Sequence, residues 1–349
     1  MKRLLITLAC AAALLALLVA PPLAGATGGL QPQPITTFTP ADYGSQYGAF
    51  ARGMAVDSAG DLIVGLTVWG ATPADSNYGE IWRVSPDGTS VTELAHLNLT
   101  PYGAFMSIAL DGSDRVYVAV DDFATASGAP GQGPGADVLR LNADGSFSPV
   151  AQLPDGSWPN GIAFHKGLLY ISDAAQGGIW RVTVGDAVAR PSSQWLQSGL
   201  LPAGRKIGVT GIAFKGDTLY AADWDAGRIV RVPVKRDGTA GTPTVFCHSA
   251  DLKTADGIAF DRLGRLWVAV NGSARTPSGG LYRVSATGAI TELARDPGWL
   301  NYPTQLAFGR TASTATTLFL LNGAYYGFMD GSSPSILALQ VGVPGLPLR

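Results

Sequence analysis

The feature that most constrains the fold is a phrase that the chain repeats. Residues 158–182 read WPNGIAFHKGLLYISDAAQGGIWRV, and residues 208–232 read GVTGIAFKGDTLYAADWDAGRIVRV. Each copy holds three short apolar runs separated by Gly- and Asp-containing turns, a pattern typical of β-strands joined by tight turns. A unit this small cannot bury both faces of its sheet, so the copies are expected to pack against one another.

Four related phrases bring the number of copies to six. The residues that precede the first strand of each copy are spaced 46 to 54 positions apart, and they are Arg52, Met106, Asn160, Thr210, Asp256 and Thr304. Four-stranded units that recur about every 40 to 50 residues are typical of β-propellers. The sequence therefore predicts an all-β fold, a six-bladed β-propeller.

The last copy lacks a fourth strand, and the missing strand has a candidate at the other end of the chain. The last predicted strand, at residues 336–341, is followed by GVPGLPLR, which offers no fourth strand, whereas ITTF at residues 35–38 precedes the first copy. We predict that this N-terminal strand completes the last blade. Closing the ring in this way leaves few exposed strand edges.

The N-terminus has the pattern of a secretory signal peptide. Met1-Lys2-Arg3 is followed by an apolar run and by small residues at Ala24-Gly25-Ala26, so residues 1–26 are predicted to be removed. A retained membrane anchor is the alternative. We assign residues 27–51 to a tether and closing strand and residues 52–345 to the propeller, and we expect the mature protein to be secreted or periplasmic without a membrane partner.

Composition narrows the possible partners. Cleavage would remove Cys10 and leave Cys247, so no internal disulfide is predicted and the core must stabilise the fold. Charged residues make up 14% of the chain, and its formal net charge is −2. No basic patch is present, so the composition argues against nucleic acid and favours a small-molecule partner.

Counting strands places one set of residues at one mouth of the central channel. The residue before the first strand and the loop after the second strand of a blade meet there, which puts Asn160 near Asp173 and Thr210 near Asp223. Long loops at residues 70–78, 121–135, 271–278 and 322–334 would build a one-sided cleft, and loops on a rigid scaffold commonly carry function.

Aromatic and acidic side chains in these loops are candidate ligand contacts. Trp and Tyr combine a large apolar surface with a polar tip, which suits ligand binding. The candidates are Trp69, Trp158, Trp224, Tyr302, Asp173 and Asp223, together with Arg52 and Thr210 of the inner ring. The alternative is structural: the rings would pack loops against blade ends, and Asp173 and Asp223 would cap turns.

Familiar enzyme signatures are absent from the sequence. It contains no GxSxG, HExxH or GxxxxGK motif, and His96, His165 and His248 are scattered without ligand spacing. These patterns predict neither a zinc site nor a His-based triad. In the inner ring, Asn160 and Asp256 offer an amide and a carboxylate oxygen, which suit a hard cation such as Ca²⁺.

Two phrases of the repeats resemble a known family of six-bladed propellers, the senescence marker protein, gluconolactonase and luciferin-regenerating family. They are WPNGIAF with LYISD, and ADGIAFDRLGRLWVAV. The phrase LYAADWDAGRIVRV also resembles an NHL-type repeat. This resemblance implies that Asn160 and Asp256 bind a divalent metal, Ca²⁺ by preference, and that Asp256 is the catalytic general base in hydrolysis of a lactone or related ester.

Two ring positions depart from the family pattern. Arg52 stands where the family has a metal-binding Glu, and Met106 stands where the family has an Asn. A guanidinium opposes cation binding, so Arg52 could instead pair with Asp256 across the channel. Three functions stay open: a metal-dependent exported hydrolase, a non-catalytic propeller that binds a small molecule, sugar or peptide in the aromatic cleft, and a metal-free propeller similar to strictosidine synthase.

Overall fold

Six β-sheets make up the fold, as the repeats predict. The computed structural model describes residues 30–70, 76–101, 103–122, 137–185, 190–203, 207–272 and 279–347. Each sheet has a core of four strands that pair antiparallel in meander order. The predicted all-β, six-bladed propeller is therefore confirmed.

The strands are numbered in chain order. Blade one comprises β2 (Ala49–Val56), β3 (Leu62–Val68), β4 (Tyr78–Val84) and β5 (Val91–Asn98). Blade two comprises β6 (Gly103–Leu110), β7 (Val116–Asp122), β8 (Asp137–Leu141) and β9 (Phe147–Gln152), to which β13 (Arg190–Pro191) adds. Blade three comprises β10 (Pro159–His165), β11 (Leu168–Asp173), β12 (Ile179–Thr183) and β14 (Ser193–Leu196).

The remaining blades follow the same plan. Blade four comprises β15 (Val209–Lys215), β16 (Thr218–Asp223), β17 (Arg228–Pro233) and β18 (Thr244–His248). Blade five comprises β19 (Ala255–Phe260), β20 (Leu266–Val270), β21 (Gly280–Val284) and β22 (Ile290–Arg295). Blade six comprises β23 (Pro303–Phe308), β24 (Thr317–Asn322), β25 (Ser335–Gln340) and β1 (Gln33–Thr37). The helices are short: α1 (Pro40–Tyr43), α2 (Gly327–Asp330) and a 3₁₀ turn at Ala250–Leu252.

The ring closes through the N-terminal strand. β1 pairs antiparallel with β25, with Gln33 opposite Ala338 and Thr37 opposite Ser335. This is the closure predicted from ITTF, and it fixes both ends of the described chain in one blade.

The core lies between the faces of neighbouring blades. One buried cluster, for example, joins Met106 and Tyr117 of blade two to Ile162 and Leu169 of blade three. Each blade therefore depends on its neighbours for the burial of its apolar faces, which is the dominant favourable contribution to folding.

Glycines allow the inner strands to approach at the hub. A Cβ at Gly161 would lie 2.6 Å from the carbonyl oxygen of Thr210, and one at Gly257 would lie 2.5 Å from the Cα of Gln305. A side chain at either position would collide with the next blade. This close approach explains why the repeated phrases carry Gly directly after the ring residue.

The predicted signal peptide lies outside the described residues. Among the residues that the structure does describe, no helix combines the length and apolarity needed to span a membrane.

Candidate functional site

All six inner strands are irregular at the ring position predicted from the repeats. Their pairing with the second strand shifts register at residues 52, 106, 160–161, 210–211, 256–257 and 304. A β-bulge interrupts the alternation of a strand and redirects the side chain at the irregularity. The same local distortion thus recurs around the hub once per blade.

Arg52 and Asp256 form a buried ion pair across the hub. Arg52 Nη2 lies 3.1 Å from Asp256 Oδ2, and their side chains are 9% and 6% exposed. Asn271 Nδ2 donates to the same Oδ2 at 3.2 Å. The pairing of Arg52 with Asp256, one of the two predicted alternatives, is the arrangement observed.

The two oxygens of Asp256 have different environments. Oδ2 accepts from both Arg52 and Asn271, whereas Oδ1 accepts no hydrogen bond from any residue that the structure describes. Burial raises the pKa of this carboxyl above its ordinary value, and the Arg52 charge and the two hydrogen bonds oppose the rise. A carboxylate whose pKa is raised is a stronger base, and one of its oxygens is available to a ligand or water.

Asn160 brings an unused hydrogen-bond donor to the ring. Its side chain is 3% exposed, and its buried Nδ2 has no hydrogen-bond partner among the described residues. An unsatisfied buried amide costs about 1–3 kcal/mol. Such a donor is commonly satisfied by a ligand or an ordered water.

The other ring residues hold the blades together. The hydroxyl of Thr210 donates to the carbonyl of Ala255 at 2.7 Å, and that of Thr304 donates to the carbonyl of Ala51 at 2.9 Å. Met106 is part of a hydrophobic cluster. Thr210, a predicted ligand contact, therefore uses its hydroxyl in an inter-blade hydrogen bond.

The hub residues do not fit the divalent cation that the family resemblance implies. Asp256 is the only ring carboxylate, and a guanidinium already neutralises it at 3.1 Å. Calcium affinity depends on the number and charge of oxygen ligands. The hub therefore offers Ca²⁺ one amide and one carboxylate that is already paired with Arg52, and these ligands are too few to hold the ion.

Aromatic side chains surround Arg52. Its guanidinium carbon lies 6.0 Å from the ring centroid of Trp158. Phe50, Trp69 and Tyr325 form a cluster in which the Phe50 centroid is 4.8 Å from Trp69 and 5.2 Å from Tyr325. Burial raises the pKa of the Tyr325 phenol and the Arg52 charge opposes this rise, which places the phenol within the field of Arg52.

The predicted aromatic ligand contacts lie in different environments. Trp69 and Trp158 lie in the environment of Arg52 just described. Tyr302 is 3% exposed and reaches the cluster through Tyr326, at a centroid distance of 4.9 Å. Trp224 is half-buried, and its ring contacts no other aromatic ring within the described part of the chain.

The predicted acidic candidates Asp173 and Asp223 cap turns. Asp173 is fully buried and accepts from the backbone N–H groups of Trp158, Ala175 and Gln176 and from the indole of Trp180. Asp223 accepts from the Ala226 backbone and from Arg228 at 2.9 Å. These bonds occupy both carboxylates, which is the structural alternative predicted from the sequence.

Residues 71–75, 123–136 and 273–278, which belong to three of the long loops, lie outside the described residues. The described part of the fourth loop supplies Tyr325 and Tyr326.

Sequence reasoning missed a second group of polar side chains, in blade one. Glu80, Glu93 and His96 have possible ligand atoms that all lie within 4.8 Å of one another. His96 seemed isolated because its partners lie on two strands. The antiparallel register that places Glu80 opposite His96 is the signal that could have found them.

Part of the chain matches the model of a known protein family. Residues 207–321, which include Asp256 and Asn271, match the model of the SMP-30/Gluconolactonase/LRE-like region. No curated protein sequence matches the chain.

Solved structures share the fold at low sequence identity. Regucalcin from Agrobacterium tumefaciens str. C58, a calcium-binding protein, is 19% identical with a TM-score of 0.57, covering 92% of this chain and 97% of its own. Catalytically inactive virginiamycin B lyase from Staphylococcus aureus, solved with quinupristin, is 14% identical with a TM-score of 0.53, covering 89% and 99%.

A third solved structure has a similar overall shape. The α-L-arabinanase of Penicillium chrysogenum, solved with arabinobiose, is 14% identical with a TM-score of 0.61, covering 90% of this chain and 99% of its own. The chain is therefore a six-bladed β-propeller in which residues 207–321 match the SMP-30/Gluconolactonase/LRE-like model, and this match confirms the resemblance found in its sequence.

Proposed function

We propose that the protein is a hydrolase of lactones or related esters that acts at the hub without a metal ion there. The observation that carries the proposal is the divided environment of Asp256: Oδ2 is held by Arg52 and Asn271, while Oδ1 accepts no bond from the described residues. The match of residues 207–321 to a gluconolactonase-type family model supports the substrate class.

In this proposal the three polar ring residues divide the work. The substrate carbonyl oxygen accepts hydrogen bonds from the Asn160 amide and the Arg52 guanidinium, which stabilise negative charge as it develops on that oxygen. Asp256 Oδ1 removes a proton from water as the water oxygen bonds to the carbonyl carbon. The carbon–oxygen bond of the ester then breaks as the carbonyl re-forms, and the proton passes from Asp256 to the departing alkoxide, giving a hydroxy acid from a lactone or an acid and an alcohol from an open-chain ester.

The aromatic rings would orient the substrate. Trp158 stacks near the guanidinium at 6.0 Å and restricts its orientation, which is the arrangement that favours Arg over Lys at such a position. Phe50, Trp69 and Tyr325 supply apolar surface beside it.

A second candidate function is binding without catalysis. The observation that favours it is the ion pair itself, because an Asp256 held by Arg52 fills part of the hub and is a weaker base than an unpaired one. The aromatic cluster around Arg52 would then bind a small molecule, sugar or peptide, and the ion pair would be structural.

Hydrolysis assays distinguish the two. Purified protein is tested in a pH-stat against aldonolactones, simple γ- and δ-lactones and p-nitrophenyl esters, with and without a chelator. We expect hydrolysis that the chelator does not change and that D256N lowers about 100-fold or more, whereas D155N, at an exposed carboxylate, leaves it unchanged. Absence of hydrolysis together with ligand-dependent Trp fluorescence would support the binding function instead.

The cellular setting is part of the proposal. The predicted leader at residues 1–26 supports export, so the substrate or ligand would be an extracellular or periplasmic small molecule. N-terminal sequencing of the protein recovered from its producing cells tests this: a mature chain that begins near Thr27 supports export, and an intact Met1 with the protein inside the cell contradicts it.

A further inference from the structure

The cluster of Glu80, Glu93 and His96 lies on the two outer strands of blade one, on elements that do not form the hub. Glu80 on β4 pairs with His96 on β5, and Trp82 pairs with Glu93. The register shifts between these two pairs. Side chains three apart on a regular strand point to opposite faces, but a bulge inserts one residue and returns the second side chain to the first face. The irregularity therefore brings Glu93 and His96 to the same side as Glu80.

Glu80 is a buried carboxylate that forms no ion pair with a Lys or Arg among the described residues. Its residue is 4% exposed, Trp82 Nε1 donates to Oε2 at 2.8 Å, and Oε1 accepts no bond from the described residues. Within the same described part of the chain, none of the three side chains forms an ion pair with Lys or Arg. A buried charge without compensation is costly, and a second carboxylate nearby increases the cost.

The electrostatics of the pair agree with the geometry. Glu80 is buried, and possible ligand atoms of Glu80 and Glu93 lie within 4.8 Å of each other. A bound cation would neutralise the two carboxylates together.

His96 has the environment of an oriented metal ligand. Its Nε2 lies 3.3 Å from Asn98 Oδ1, and the tautomer with the proton on Nε2 donates to that oxygen. Nδ1 then presents a lone pair, and it lies 3.9 Å from Glu93 Oε1. The ring stacks on Tyr78 at a centroid distance of 4.7 Å. A metal-binding His commonly donates its second N–H to an oxygen that fixes its tautomer and orientation.

We propose that Glu80, Glu93 and His96 bind one divalent transition-metal ion of the Zn²⁺ class, with water completing the coordination. Zn²⁺ accepts both carboxylate oxygen and imidazole nitrogen ligands, and the imidazole disfavours Ca²⁺ and Mg²⁺, which prefer oxygen ligands. Glu93 and His96 side chains are 42% and 45% exposed, so the ion can enter from solvent while Glu80 closes the inner side.

A metal ion at this site would stabilise the two outer strands of blade one. The ion would connect β4 to β5, and Tyr78, which stacks on His96, donates its hydroxyl to the Tyr43 carbonyl of α1 at 2.6 Å. Because α1 follows the closing strand β1, the ion would stabilise the blade beside the ring closure. This role does not depend on the chemistry proposed at the hub.

The test is metal titration of the whole protein after chelator treatment and dialysis. We expect one Zn²⁺ per chain by calorimetry, a rise in melting temperature with Zn²⁺, and a visible Co²⁺ spectrum of a site with nitrogen and oxygen ligands. The variants H96A and E93Q should weaken Zn²⁺ about 10-fold or more, a loss expected when coordination is disturbed. The matched control H248A removes an exposed histidine from an outer strand of blade four and should bind like the wild type.

Each result decides the proposal. E93Q changes an exposed side chain, so its melting temperature without metal should equal that of the wild type, and a selective loss of the Zn²⁺-dependent rise supports the site even if H96A folds poorly. No stoichiometric Zn²⁺ in the wild type, or equal affinity in wild type, H96A and E93Q, would overturn it. Loss of binding in H248A alone would also overturn it by placing the ion elsewhere.

Discussion

Arg52 and Asp256 are 204 positions apart in the chain, yet Nη2 of one lies 3.1 Å from Oδ2 of the other at the hub. The pair joins blade one to blade five across the ring. Arg52 stands at the position where the family resemblance leads one to expect a second carboxylate. The Arg52 guanidinium, rather than an external cation, therefore compensates the charge of Asp256. We expect Arg52 to affect both the stability of the hub and its preference among ligands.

Removing Arg52 should strongly destabilise the fold. R52A leaves the buried Asp256 carboxylate with Asn271 as its remaining described donor, and breaking a buried ion pair from one side typically costs about 3–5 kcal/mol. Urea unfolding of wild type and variant measures the change. R83A is the control, because Arg83 is 49% exposed with ion-pair distances of 3.9 and 4.0 Å, and it should cost less than about 0.5 kcal/mol. Equal, small effects of both variants would show that solvent already compensates Asp256.

Changing the sign of the ring charge should create a calcium site. R52E places a second carboxylate opposite Asp256 and beside the Asn160 amide, and calcium affinity rises with ligand charge. We expect the free energy of unfolding of R52E to increase with Ca²⁺, by about 2.7 kcal/mol at 100 times the Kd, while the wild type does not respond. Thermal melts with Ca²⁺ or chelator test this. If R52E ignores Ca²⁺, the ring side chains do not share one coordination space.

Replacing Asn160 with an apolar residue should raise the stability of the fold and weaken ligand binding at the hub. N160L removes a buried amide whose Nδ2 has no described partner, so we expect stability to rise by about 1 kcal/mol, while hydrolysis or ligand binding at the hub declines. Melting temperature and turnover are measured on the same preparation. A loss of stability without loss of activity would mean that the amide is satisfied by water and has no ligand role.

The glycines after the ring residues should not tolerate a side chain. A Cβ at Gly211 would collide with the backbone carbonyl of Asp256 on the next blade, so G211A should cost about 3 kcal/mol, at the upper end of the usual range for overpacking. Gly112 lies in a turn where an added Cβ meets nothing within 4 Å, and G112A should be close to neutral. Chemical denaturation of both compares them directly, and equal stabilities would contradict the close approach of blades four and five.

The single thiol of the described chain should resist modification in the native state. Burial raises the pKa of Cys247 to about 11, so at pH 8 roughly one thiol in a thousand is ionised, and the thiolate is the reactive form. In a C10S background, we expect slow reaction with Ellman's reagent between pH 7 and 9 and rapid reaction after denaturation. Rapid modification of the folded protein at pH 8 would mean that the outer strand β18 opens readily.

The cluster of Glu80, Glu93 and His96 in blade one shows why some candidate sites cannot be found from the spacing of residues in the sequence. Glu80 and His96 are 16 positions apart, which matches no metal-ligand motif, and Glu93 reaches the same face because of a bulge. Register and bulges depend on pairing between strands. A list of His spacings therefore predicted no zinc site, whereas pairing the strands brings three candidate ligands together.

The sequence by itself determined the architecture. Three features could be found from local patterns alone. They are the six copies of one strand pattern, the N-terminal strand near Ile35 that completes the last copy, and the ring positions from Arg52 to Thr304. Local patterns suffice because each blade is built from neighbouring segments of the chain and each repeat buries its faces against the next.

The tertiary structure alone decided what the ring residues do. Thr210 and Thr304 form hydrogen bonds to the next blade, Arg52 pairs with Asp256, and Asn160 Nδ2 has no partner among the described residues. These outcomes depend on how far the blades open at the hub and on the direction that each bulge gives a side chain. Both are consequences of contacts between residues far apart in the chain, which no local pattern encodes.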